Sequence, residues 1–85
     1  MKKEIIGVVS HYYKNIGVAV ITLECQLAIG DTIHIKGHTT DFKQTIESIQ
    51  IEHKNVASAK KGDDIGIKVQ EHAKEYDVVY KVVEE

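Results

Sequence analysis

"DFKQTIESIQIE", residues 41–52, is the stretch on which the fold turns. Phe42 and Ile46 share one parity, and Ile49 and Ile51 take the other. Side chains alternate faces along a strand, so a regular strand cannot bury all four. A β-bulge near Glu47 and Ser48 returns the later isoleucines to the inner face and bends the strand. A long bent strand is what the closure of a small barrel requires.

The flanking sequence repeats the strand signature. Runs rich in Val, Ile and Thr alternate with polar residues and are punctuated by glycine, while proline is absent. This pattern predicts strands over residues 4–12, 17–24, 32–36, 41–52, 64–69 and 78–82. In "DTIHIKG", Ile33 and Ile35 face inward while His34 and Lys36 face outward. "DDIGIKVQ" sets Ile65, Ile67 and Val69 against Gly66, Lys68 and Gln70. "DVVYKV" predicts Val78, Tyr80 and Val82 inside. Only "NVASAKKGDD" has room for a helical turn, and it is too short for more. The expected fold is all-β: a six-stranded closed barrel made by one domain spanning residues 1–85.

The composition narrows the function classes. Apolar residues at 42% and charged residues at 28% are ordinary for a globular domain. No apolar run reaches the roughly 18–20 residues of a membrane span. The opening "MKKEIIGVVS" is broken by Gly7 and Ser10 and runs into polar "HYYKN", unlike a signal peptide. The lone Cys25 excludes an internal disulfide and fits a reducing compartment, so a cytoplasmic location is expected. Net charge is −2, which argues against a general polyanion binder. All eleven basic residues are lysine. Arginine, the usual bidentate reader of guanine edges and phosphates, is missing, which weakens any expectation of sequence-specific nucleic-acid readout.

Several stretches resemble known families. "LAIGDTIHIKG", "IESIQIEHKNVASAKKGDDIGIKV" and "DVVYKV" resemble the second, barrel domain of translational GTPases such as elongation factor Tu. The matching pieces are Gly30–Asp31, Gly37, the run from Ile46 to Ile51, and Ala59-Lys60-Lys61-Gly62-Asp63 before the last alternating aliphatics. "GVAVITLE", "IHIKGHTTDF" and "IESIQIEHK" are more similar still to small translation-elongation-factor-like proteins. They also resemble the C-terminal domain of collagenase-like peptidases, some of which act in tRNA modification. The resemblance implies a barrel of the translation-factor second-domain type and a context of translation or tRNA metabolism. There are departures. No Gly-x-x-x-x-Gly-Lys-Ser/Thr phosphate loop is present, so neither GTP binding nor GTP hydrolysis is expected. "TLECQLAIG" lacks the basic residue and first glycine of the factors' turn between the second and third strands.

Candidate chemistry is sparse. His34 and His38 would lie roughly 13 Å apart on an extended strand, too far for one metal. The carboxylate of Glu24 beside Cys25 disfavours a thiolate nucleophile. Nothing supplies acid, base and oxyanion donor together, so no enzyme, cofactor or metal is expected. The candidate site is a rim. An up-and-down strand order gathers the turns carrying His11, Tyr12, Tyr13 and Lys14, then Lys36 and His38, then Lys74 at one end. Aromatic rings stack bases while lysines neutralise phosphates. The leading expectation is a non-catalytic module that binds tRNA or ribosome-associated RNA weakly, or binds a protein of translation or tRNA modification. The alternative is a protein-interaction domain that docks onto a separate enzyme. A histidine-based metal or pH-sensing site is a minor third. An exposed apolar patch with an acidic rim favours docking, and a basic rim lined with tyrosines favours RNA.

Overall fold

The structure, a computed structural model, describes residues 2–83. Ten strands form: β1 (Lys2–Tyr13), β2 (Val18–Leu23), β3 (Leu27–Ala28), β4 (Thr32–Lys36), β5 (Asp41–Thr45), β6 (Ile49–Ile51), β7 (Lys54–Val56), β8 (Ser58–Ala59), β9 (Asp64–Lys68) and β10 (Val78–Val83). Eight of them make one antiparallel sheet in the order β5-β4-β10-β1-β2-β9-β6-β7, and β3 pairs with β8 alone. No described helix is long and apolar enough to cross a membrane.

The sheet curls because its central strand carries two bulges. The register of β1 skips Ile6 against β10 and Ser10 against β2. Each extra residue flips the parity, so Ile6, Val9 and Tyr12, three apart, all turn toward the core. At the first bulge β1 and β2 approach closely. A Cβ on Gly7 would stand 2.5 Å from the Thr22 carbonyl oxygen, so only glycine fits there. Ile33, Ile35, Ile65, Ile67 and Val69 face inward as their alternation predicts.

Four expectations need correction. The barrel is not closed, because the end strands β5 and β7 are not paired. A side chain spans the seam instead. Gln44 Nε2 donates to the Lys68 carbonyl and its Oε1 accepts from the Gln70 amide, both at 2.8 Å. The strand count among the described residues is ten rather than six, because the stretch 41–52 is split instead of bulged and the short strands β3, β7 and β8 add to it. Ile46 pairs its backbone with Gly30 and Asp31, after which the chain leaves β4 and pairs with β7 and β9. Ile46 and Ile49 are thereby both buried without a bulge. In β10 the parity is the reverse of that expected. Val79 lies opposite inward-facing Ile35 and is fully buried, while Val78, Tyr80 and Val82 are half-buried on the other face. Finally, "NVASAKKGDD" holds β8 and a turn closed by Asp63, whose carboxylate accepts from the Lys60 amide at 3.0 Å, and no helical turn.

Candidate functional site

The topology brings three turns to one end of the sheet. The Val69 amide donates to the Gly17 carbonyl at 2.9 Å, and Tyr76 and Val9 pair at 2.8 Å. The carboxylate of Asp77 fills the space over Gly37, where any Cβ would collide with it. His11 meets Glu75 at 3.2 Å, and Tyr12 lies against His72 with ring centroids 4.6 Å apart. His11, Tyr12 and Lys74 are therefore neighbours. Lys36 and His38 are exposed on either side of Gly37, and Lys14 is exposed in the β1–β2 turn.

Three details change the character of this rim. Tyr12 packs against the core instead of standing free as a stacking platform. Acids enter the rim as well, with Glu75 on His11 and the buried Asp77 bonded to the Lys74 amide at 2.8 Å. Tyr13 keeps only its contact with His11 and otherwise faces away from the cluster. It packs edge-on to His11 at 4.3 Å and lines a groove on the outer face of β2, β9 and β6.

That groove is more apolar than the larger cleft beside Gln44, Lys68 and Gln70. Its volume is about 230 Å³. Ala19, Ile21 and Leu23 use the inward parity of β2, so Val18 and Val20 must point outward. Gly66 lies opposite Val20 on one side and Gln50 on the other. Having no side chain, it leaves a dip in the sheet. Tyr13 is 49% exposed and Ile16 is 62% exposed at one end of this dip. Glu52, His53 and Asp64 stand around it. Thr22 Oγ1 donates to Asp64 at 2.8 Å and orients that carboxylate.

The hairpin carrying Glu52 and His53 is strained. Ile51 pairs with Lys54, so the loop has only these two residues, with φ of 50° and 66°. Such a loop favours Asn-Gly, because left-handed backbone costs other residues roughly 1–2 kcal/mol each.

On the opposite outer face, β4 buries a histidine. His34 is 5% exposed. Lys3 Nζ donates to its Nδ1 at 2.6 Å, and its Nε2–H donates to the Asp41 carboxylate. The Nε2–H tautomer satisfies both contacts. The hydrogen bond from His34 holds the Asp41 carboxyl below its ordinary 3.8, with the charges of Lys36 and Lys3 adding to it. Tyr80 lies beside the ring at 6.3 Å. Among the described residues no three His, Cys, Asp or Glu side chains converge as a metal cage. Cys25 is exposed, and its thiol points at the Ile5 carbonyl at 3.8 Å.

Sequence reasoning missed the groove and the Lys3–His34–Asp41 chain. One signal for the groove was available. "GVAVITL" carries aliphatics on both parities, which leaves an apolar outer face on β2 whichever way it turns.

No protein-family model matches the chain. Among curated proteins it is 45% identical over 80 residues to an uncharacterized protease of Methanocaldococcus jannaschii, covering 93% of this chain and 20% of that one. It is 37% identical over 82 residues to a collagenase of Porphyromonas gingivalis, covering 94% and 23%. The chain thus spans about a fifth of the length of the curated relatives it matches. Among solved structures it is similar to the C-terminal domain of a Geobacillus thermoleovorans protein assigned to the U32 peptidases. There the TM-score is 0.88 and the identity 24%, over 94% of this chain and 93% of that one. The selenomethionine variant of the same domain gives a TM-score of 0.85. The chain is therefore similar to the C-terminal domain of U32-type, collagenase-like proteins.

Proposed function

We propose that this chain is a non-catalytic accessory domain that docks onto the body of a U32-type, collagenase-like protein. The observation that carries this reading is the apolar groove of Tyr13, Ile16, Val18 and Val20, which Glu52 and Asp64 also line. Exposed aliphatics gathered in one dip, with no lysine lining it, suit a protein partner better than a phosphate backbone. The similarity to part of longer protease and collagenase chains supports the same reading. A context of translation or tRNA metabolism enters through the rim, where His11, Tyr12 and His72 stand near Lys74. There Glu75 offsets the charge an RNA would need.

The test uses the Methanocaldococcus relative without the 80 residues that match this chain. Isothermal titration of this chain into that truncated protein should show saturable binding, lost in Ile16→Ser with Val20→Asp. Filter binding to single-stranded RNA runs in parallel. Binding to RNA but not to the truncated protein, sensitive to Lys74→Glu and not to the groove variant, would overturn the docking reading in favour of the RNA one.

A further inference from the structure

Resting on the docking reading, we infer that the groove selects a partner segment presenting one aliphatic side chain flanked by lysine or arginine. The size of the groove sets the first half of this rule. At about 230 Å³ it is smaller than the roughly 300–1,000 Å³ clefts that enclose whole small molecules. Its floor is the bare backbone of Gly66 between Val18, Val20 and Gln50, with Ile16 and Tyr13 closing one end. A single branched side chain fills such a dip and removes the exposed Ile16 and Tyr13 from water.

Charge sets the second half. Glu52 and Asp64 are the acids lining the groove, no lysine lines it, and His53 is the remaining titratable side chain apart from Tyr13. The nearest lysine in register, Lys68 opposite Val18, shares this outer face and stands beside the groove outside its lining. A docked cation gains charge-assisted hydrogen bonds to both carboxylates, while a docked carboxylate meets repulsion and loses its water. Discrimination of this kind comes as much from rejecting the wrong charge as from attracting the right one.

The hairpin supplies an independent argument. Glu52 and His53 hold left-handed backbone that glycine and asparagine adopt more readily. Strain of this kind persists where a site uses it, and here it brings a carboxylate and an imidazole to the mouth of the groove. Replacing this pair by Asn-Gly would relieve the strain and remove the acid together.

The experiment is an amide NMR titration of the intact chain with three capped hexapeptides: alternating Lys-Leu, alternating Glu-Leu and alternating Lys-Ser. Lys-Leu is expected to shift the amides of Ile16, Val20, Glu52 and Gly66, at least tenfold more tightly than Glu-Leu. Lys-Ser should not reach the groove. Glu52→Gln with Asp64→Asn, both isosteric, should erase the preference for Lys-Leu over Glu-Leu while leaving binding in place. Equal binding of Lys-Leu and Glu-Leu at the groove would overturn the charge rule and leave docking standing. Groove shifts from none of the three would overturn the inference, while the titration against the truncated relative decides docking separately. Gly66→Ala provides the control for folding. Its Cβ would sit 3.4 Å from Val18 Cγ1, an ordinary contact, so this variant should fold normally and still bind Lys-Leu at least tenfold more weakly.

Discussion

The two outer faces of the sheet treat their side chains in opposite ways. Across β5, β4, β10 and β1 a polar residue is buried. His34 sits under Tyr80 and is held at both ring nitrogens by Lys3 and Asp41. Across β2, β9 and β6 apolar residues are left in water, with Ile16 and Tyr13 open above a glycine floor. Burying histidine is costly unless its nitrogens are bonded, and here they are, so that face is internally satisfied. Among the described residues the groove face has no such completion. A face that closes its own hydrogen bonds serves the fold, and a face that leaves aliphatics uncovered is where a partner gains most.

That contrast can be broken in four places, taken from the largest effect to the smallest. Ile67 lies on the inner side of the strand whose outer side forms the groove floor, and it is 1% exposed. Ile67→Ala should cost about 2–5 kcal/mol in urea melts, because it leaves a cavity in a small core. A loss below about 0.5 kcal/mol would mean that β9 is not anchored as described.

The next largest effect belongs to the opposite face. His34→Ala removes two hydrogen bonds and a packed ring, and should cost about 1–3 kcal/mol by the same measurement. Binding at the groove should be unchanged. Coupled loss of binding would show that the two faces do not act separately.

A smaller effect follows from Asp41. Its carboxyl is held below the ordinary value by the hydrogen bond from His34. A depressed folded-state pKa stabilises above the unfolded value, and that stabilisation disappears as pH falls through the folded value. The urea midpoint should therefore fall between pH 5 and pH 2.5, and Asp41→Asn should fall less steeply over the same window. Parallel acid curves for the two proteins would remove Asp41 from this account.

The smallest effect on folding is at the groove itself. Ile16→Ser should change stability within about 0.5 kcal/mol, because the side chain is mostly in water. Gly66→Ala should be neutral or gain up to about 1 kcal/mol, since glycine weakens a strand interior. Stability that holds while partner binding falls would separate the use of this face from its folding. A large loss in either variant would merge the two faces again.

How much of this was legible depended on how cleanly each strand alternates. β4 and β9 each place isoleucines on one parity and polar residues or glycine on the other, and their inner faces follow directly. β10 is apolar on both parities, and its orientation comes from pairing Val79 with Ile35, a contact between residues distant in sequence. β1 spaces its inward residues by three, the mark of two bulges, and the same spacing from Ile46 to Ile49 has a different origin. There the chain changes partners, which local pattern cannot distinguish from a bulge. The rim was assembled from turn composition, and topology does draw those turns together. Which way each ring points depends on the bulges, so Tyr12 turns inward and Tyr13 joins the groove. The groove itself depends on a missing side chain at Gly66, and its outline appears only when three strands lie side by side.

Gln44 gives the molecule a weak line in its dynamics. Most neighbouring strands are held by rows of backbone bonds that must break together, but the seam between β5 and β9 is held by two bonds from one side-chain amide. One rotamer change releases both. A low-cost excursion of the folded chain is therefore a parting along this seam, with the β1–β2–β10 centre intact. The Gln70 amide then exchanges with solvent through brief local opening, while the centre exchanges only when the whole sheet unfolds.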